Sequence, residues 1–191
     1  MSKHIWLVRH GETEWSLSGQ HTGRTDIPLT ERGQRHARSL QGMLAPLGIS
    51  HVLTSPLKRA FETCRLAGLG DQAQIEPNLQ EWDYGDYDGR TTADIREEIP
   101  DWTIWTGGAA GGESIGDVAR RADAVIERSV SLEGDVALFS HGHFLRILAA
   151  RWIDMPPQHG QLLALDTASL SCLGFEHNAR VLRKWNRTCG D

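Results

Sequence analysis

Three short apolar runs, each breaking off at residues that carry chemistry, constrain this chain more than any other feature. His4-Ile5-Trp6-Leu7-Val8 stops at Arg9-His10-Gly11-Glu12. His51-Val52-Leu53-Thr54 stops at Ser55-Pro56-Leu57-Lys58-Arg59, and Val136-Ala137-Leu138-Phe139 at Ser140-His141-Gly142-His143. Runs of this length bounded by turn residues read as strands buried on both faces. Helical patterns separate them. Thr30 is a natural N-cap for a helix through Leu44, with Ala37, Leu40 and Leu44 at helical spacing. Pro56 suits the first turn of a helix reaching Leu66. Further helices are expected over 114–130, where Val118, Ala122, Val125 and Ile126 recur, and over 144–152. Strands alternating with helices predict a three-layer α/β/α domain around a largely parallel sheet, and the runs at 168–175 and 181–185 predict a closing hairpin.

One domain spanning 1–191 is the expectation for 191 residues of ordinary composition. Residues 76–112, rich in Gly, Asp and Trp, read as an excursion shaping an active-site mouth, with one short helical candidate around 92–98. The formal charge of -5 and the absence of a Lys/Arg block argue against binding to nucleic acid or an anionic membrane. Cys64, Cys172 and Cys189 have no metal-ligand spacing, and three cysteines do not close a disulfide framework. With no leader-like segment and no membrane-length apolar run, a soluble, cytoplasmic protein is expected. A homodimer is compatible with this sequence.

If the three strands are parallel, their C-terminal ends lie side by side, which is where open α/β sheets bind ligands. Two histidines and two arginines far apart in sequence then converge on one pocket, and their common target is a small, strongly charged anion. Carboxylate or sulfate satisfies the charge. Phosphate fits best, because guanidinium groups bond its oxygens in pairs and a neutral imidazole is a competent nucleophile for phosphoryl transfer. Structural salt bridges are the alternative reading of Arg9 and Arg59.

At this point the chain resembles the histidine phosphatase superfamily, whose members include cofactor-dependent phosphoglycerate mutases and many phosphatases. Leu7-Val8-Arg9-His10-Gly11-Glu12-Thr13 matches its opening signature, and Ser55-Pro56-Leu57-Lys58-Arg59-Ala60 the segment supplying its second arginine. Leu79-Gln80-Glu81-Trp82-Asp83-Tyr84-Gly85 is similar to its acid loop, and Ser140-His141-Gly142 to the segment of its second histidine. The resemblance implies a phosphoglycerate mutase-like fold and a covalent mechanism without metal or other cofactor. In it His10 attacks phosphorus, Glu81 protonates the leaving alcohol, and Arg9, Arg59 and His141 hold the phosphoryl oxygens. Only motif position selects Glu81 over Asp83, Asp86 and Asp88. Thr22-Gly23 stands where relatives have a loop that helps bind phosphate. Gly142 and His143 join the substrate-binding candidates, His143 through its backbone N–H or as an ordinary exposed imidazole. Glu12 and Glu113 either touch substrate or brace a loop.

Mutases of this family carry a basic insertion before the second histidine, a C-terminal tail, and asparagine where this chain has Ser16. The resemblance therefore implies hydrolysis of small phosphorylated metabolites, closest to acid-phosphatase and sugar-bisphosphatase members. Alternatives are a phosphoglycerate mutase, a phosphoprotein phosphatase and an inactive binding module. The 101–114 segment, with Trp102, Trp105 and a glycine run, either covers the mouth or caps the core.

Overall fold

The computed structural model describes residues 3–189. In chain order it forms β1 (Ile5–Arg9), α1 (Glu14–Ser18), α2 (Glu31–Leu44), β2 (Ile49–Thr54), α3 (Lys58–Leu66), β3 (Ala73–Ile75), α4 (Thr92–Glu98) and α5 (Ile104–Gly107). There follow α6 (Ile115–Ser131), β4 (Asp135–Ser140), α7 (Gly142–Trp152), β5 (Leu170–Glu176) and β6 (Ala179–Arg187). The strands make one sheet of six in the order β3-β2-β4-β1-β5-β6. The first four of that order pair in parallel, and β5 and β6 add the antiparallel hairpin.

Side-chain alternation explains why the central strands are apolar throughout. Ile5, Leu7, Val136 and Leu138 face one core with Val118, Val125, Ile126, Ile147, Leu148 and Trp152 from α6 and α7. Trp6, Val8, Ala137 and Phe139 face another, with Leu40 and Leu44 from α2 and Cys64 from α3. A strand covered by helices on both sides has no solvent face on which to place polar residues. This is the three-layer α/β/α arrangement.

The local signals for α2 act as expected. Thr30 caps it, its Oγ1 accepting from Gly33 N at 2.9 Å. Gly33 also lets the first turn of α2 rest against the loop after β1, since a Cβ there would lie 2.2 Å from the Glu12 carbonyl oxygen. The structure corrects several boundaries. Pro56 precedes α3, whose N-cap is Leu57, and α7 begins at Gly142 rather than 144. Three short elements, α1, α5 and β3, lack enough residues to show a period in sequence. The 76–112 stretch does leave the sheet, yet it is not peripheral to packing. Leu79, Trp82, Tyr84, Tyr87, Ile95, Trp102, Ile104 and Trp105 are all buried in the core on the α6/α7 side.

Candidate active site

Register decides the meeting of the two motif histidines. Arg9 at the end of β1 pairs with Ser140 at the end of β4, so His10 and His141 leave the sheet at the same level. Their ring centroids stand 5.2 Å apart at an interplanar angle of 56°. The His10 backbone is fastened on both sides: its N–H donates to Ser140 O (2.9 Å), and its carbonyl accepts from Ala168 N (3.0 Å). The His10 Nδ1 lies 2.7 Å from Gly11 O. A carbonyl only accepts, so Nδ1 carries the proton and Nε2 holds the lone pair.

Burial is the first cause that holds His10 well below the usual histidine pKa, and the positive charges of Arg59 and Arg9 add to it. The ring is neutral at physiological pH. His141 is displaced in the same direction by burial, then by Arg59 and His10. Its Nδ1 accepts from Arg59 Nε (3.2 Å), so its Nε2 donates to Ser55 Oγ (2.8 Å).

A cavity of about 410 Å³ opens above His10, lined among others by Arg9, Ser16, Thr22, Glu81, Tyr84, Gly142 and His143. Arg9 donates through Nη1 to Leu165 O, while its Nε is buried without any partner. Arg9 and His10 line the same cavity, so one site combines a buried guanidinium N–H that has no protein partner with a neutral imidazole. Glu81 is the only carboxylate lining this cavity among the described residues. Its Oε1 accepts from Trp82 N and Phe144 N, both at 2.9 Å, and its Oε2 from His143 N at 3.0 Å. The N-terminus of α7 thus fixes the carboxylate in place.

The neighbouring acids are committed elsewhere. Asp83 pairs with Arg24 Nε at 2.8 Å, and Asp88 accepts from Gly23 N (2.7 Å) and Thr25 Oγ1 (2.5 Å). Asp86 packs beside Gly111. His143, expected to be exposed or to act through its backbone, is a half-buried cavity residue whose Nδ1 lies 2.7 Å from Tyr84 Oη.

Other expected site residues lie outside the cavity lining. Arg59 is fully buried and spends its donors on Thr25 O (3.0 Å), Thr22 O (3.0 Å), Gly23 O (2.9 Å) and His141. His141 lies beside His10 yet does not reach the lining. The Gly23 N–H is directed at Asp88 instead of the cavity. Glu113 is a brace: both its oxygens bond Arg121 at 2.7–2.8 Å, and it accepts from Asp83 N at 3.0 Å. Glu12 accepts from Thr30 Oγ1 at 2.7 Å and likewise braces a loop. Ser16 lines the cavity, but its Oγ is engaged with Thr13 as part of the α1 capping box.

Both tryptophans of the 101–114 segment pack in the core, and Trp105 also faces the cavity. Trp102 is core, with its Nε1 donating to Gly108 O at 3.1 Å. Trp105 lines the cavity, its ring centroid 5.1 Å from that of His143. Sequence reading passed over Gln20, His21, Arg96 and Arg146, which also line it. Helical spacing was the available signal for Arg146, four residues beyond Gly142 on α7.

Residues 5–188 match the family model of the histidine phosphatase superfamily, branch 1. An acid phosphatase of Mycobacterium tuberculosis is 43% identical over 184 residues, covering 93% of this chain and 89% of that protein. A sedoheptulose 1,7-bisphosphatase of Saccharomyces cerevisiae is 37% identical over 185 residues, covering 80% of this chain and 68% of its own length. Among solved structures, that of open reading frame Rv3214 from Mycobacterium tuberculosis superimposes with a TM-score of 0.94 at 40% identity, covering 98% of each chain.

Proposed function

The chain belongs to the histidine phosphatase superfamily, and from that membership we propose that it hydrolyses small phosphomonoester metabolites through a phosphohistidine formed on His10. The observation carrying this reading is the pairing of a neutral imidazole, its Nε2 bare, with the unsatisfied buried Nε of Arg9 at one cavity. A neutral imidazole needs no base to become nucleophilic. Nε2 attacks phosphorus, the bond from phosphorus to the ester oxygen breaks, and Glu81, entering this step protonated, gives its proton to the departing alkoxide and becomes a carboxylate. Water then attacks the phosphohistidine, Glu81 takes the water's proton, and His10 returns to the neutral state as phosphate leaves.

Arg9 bonds the nonbridging oxygens. Arg59 and His141 lie deeper than His10 and supply positive charge and a polar edge at the bottom of the same site, a preorganised arrangement that costs no reorganisation as charge shifts. We place the activity in the cytoplasm and assign it no metal. No helix among the described residues is long and apolar enough to cross a membrane.

Protein treated with chelator and assayed on a phosphomonoester panel tests the reading, together with trapping of the phosphoenzyme by an alkaline detergent quench. Turnover with a base-stable, acid-labile phosphoryl group that disappears in His10→Ala is the expected result. Metal-dependent turnover, or full activity in His10→Ala, overturns it. Conversion of 3-phosphoglycerate to its isomer without phosphate release identifies a mutase instead.

A further inference from the structure

A second cavity, of about 510 Å³, shares no lining residue with the catalytic one, yet it is lined by the two segments that hold the nucleophile. One is Glu12, two residues beyond His10. The other is the loop before β5, through Asp166, Thr167 and Ala168. Ala168 N donates to His10 O (3.0 Å), while Leu165 O and Ser169 O accept from Arg9 Nη1 and Arg9 N. Ala168 keeps this position at φ +52°, a left-handed conformation that a side chain makes costly. The rest of the lining includes Arg32, His36 and Ser39, spaced along one face of α2.

The lining contains a buried acid with a bare oxygen. Glu12 is 7% exposed. Its Oε1 accepts from Thr30 Oγ1 at 2.7 Å, but its Oε2 receives no hydrogen bond among the described residues. The cation paired with Oε2, Arg32 Nη1, stands 3.6 Å away, beyond hydrogen-bond reach, on a side chain that is 62% exposed. A carboxylate taken out of water without a donor is unfavourable, and an arriving donor relieves it. Asp166 adds a second carboxylate: its Oδ2 accepts from Asn186 Nδ2 at 2.8 Å, and its Oδ1 from none of the described residues. Two carboxylates against one guanidinium favour a cation. Among the described residues no three His, Cys, Asp or Glu side chains are grouped to hold a metal ion, whereas an ammonium group needs only acceptors and brings three donors. Charge also reaches the catalytic side. Burial lowers the Arg9 pKa, and the charges of Glu81, Tyr84 and Asp166 oppose that, so a cation set against Asp166 is felt at Arg9.

We infer that this back cavity is a regulatory site for a small primary ammonium compound, held by Glu12 and Asp166 and coupled to His10 and Arg9 through residues 165–169. Such a ligand ties the segment after His10 to the loop that donates to the His10 carbonyl, which firms the floor of the catalytic cavity and favours phosphate binding there. Binding of the amine is independent of the phosphatase reading, and only its effect on turnover rests on that reading.

Calorimetry on the full chain with ethanolamine, putrescine and glycine, and with ethylene glycol as the uncharged control, tests the site. Saturable binding of at least one amine with Kd of about 1 mM or below is expected. Binding of none, or equal binding of ethylene glycol, overturns it. The variants are expected to differ in sign. Glu12→Gln and Asp166→Asn keep the shape and lose the charge, and each is expected to weaken the amine roughly tenfold. Arg32→Gln removes a competing cation from an exposed position and is expected to tighten it about threefold. A structural brace does not give that opposite sign, and unchanged affinity in Asp166→Asn and Arg32→Gln, both at exposed residues and so measurable even if Glu12→Gln fails to fold, overturns the site. Coupling is read with inorganic phosphate, whose Kd a saturating amine is expected to lower about fivefold, phosphate lowering the amine's Kd by the same factor. Amine binding that leaves the phosphate Kd unchanged overturns the regulatory role. His10→Ala protein is expected to bind the amine as the natural chain does, so amine binding without turnover on any phosphomonoester refutes the phosphatase reading alone.

Discussion

The floor of the cavity and its wall are built by different means. The floor is two strand ends, β1 and β4, set side by side by backbone pairing from Ile5 with Val136 to Arg9 with Ser140 and clamped between two apolar cores. The wall is the 76–113 stretch, where side chains stitch irregular backbone. Arg121 Nη1 donates to Asn78 O (2.7 Å) and Gln80 O (2.9 Å), Trp82 Nε1 donates to Glu113 O (2.8 Å), and Asp86 N donates to Ala110 O (2.8 Å). Pairing distributed over a sheet tolerates the loss of any one side chain. A wall stitched at a few points does not. The difference teaches that the nucleophile belongs to the floor, whereas the wall shapes the space above it and brings in Glu81, the one carboxylate lining the cavity among the described residues.

The sharpest way to break this division is at the floor. His10→Ala removes the nucleophile while leaving the wall untouched, and kcat on p-nitrophenyl phosphate is expected to fall on the order of 10⁴-fold or more with Tm little changed. Glu81→Gln joins floor to wall. An amide keeps two of the hydrogen-bonding positions but has no proton to give, so esters with poor leaving groups are expected to slow by roughly 10²–10³-fold and p-nitrophenyl phosphate far less. Equal losses on both kinds of ester would show that another group delivers the proton.

The wall breaks at a glycine. Gly85 has φ +51°, and a Cβ there would lie 2.2 Å from Ala110 O and 2.3 Å from Gly112 N. Gly85→Ala cannot be accommodated without moving the 109–112 backbone, at a cost of about 2 kcal/mol or more by chemical denaturation. With the division correct, residual activity on p-nitrophenyl phosphate survives better than discrimination among larger phosphomonoesters. Loss of both in proportion would make floor and wall one unit.

Legibility follows the same line. Runs such as Val136-Ala137-Leu138-Phe139 announce buried strands because both of their faces are covered, and the ends of those strands locate His10 and His141. Direction of a side chain is not encoded so locally. Nothing around Arg59 in sequence tells that its donors turn to the carbonyls of residues 22–25, or that Glu113 meets Arg121 rather than the cavity. Glu81 stands apart from Asp83, Asp86 and Asp88 only once α7 is placed to donate to it, a contact spanning about sixty residues. Arg146 was within reach, since helical spacing from Gly142 places it on the cavity face of α7.

Acid tests the floor without mutation. Burial first, and arginine charges after it, hold His10, His141 and His143 well below the ordinary histidine value of 6.5. The unfolded chain, whose histidines titrate near 6.5, therefore binds more protons than the native state once pH drops below that value. Stability is full above about pH 6.5 and is expected to decline below it, by up to about 1.4 kcal/mol per pH unit for each histidine still neutral in the fold. Denaturation midpoints at pH 7.5 and 5.5 measure this. Because the lowered pKa keeps His10 neutral, the acid limb of kcat/KM on p-nitrophenyl phosphate is expected below 6.5. A limb at 6.5 or above would mean that solvent reaches the floor.

The smallest effect probes a single stitch. Glu113 and Arg121 are about one-fifth exposed, and their paired hydrogen bonds hold Asp83 and the carbonyls before Glu81 in line. Glu113→Gln keeps the shape and, through one amide oxygen, the bonds from Asp83 N and Arg121 Nη2, but removes the charge and sets its NH2 against the Arg121 Nε donor. A loss of about 1–2 kcal/mol is expected, between that of a surface pair and a buried one. KM for any phosphomonoester should stay within a factor of about two, since no Glu113 atom lines the cavity. A rise of tenfold in KM with unchanged stability would place Glu113 against substrate, and the wall would then recognise phosphate directly instead of only shaping the space around it.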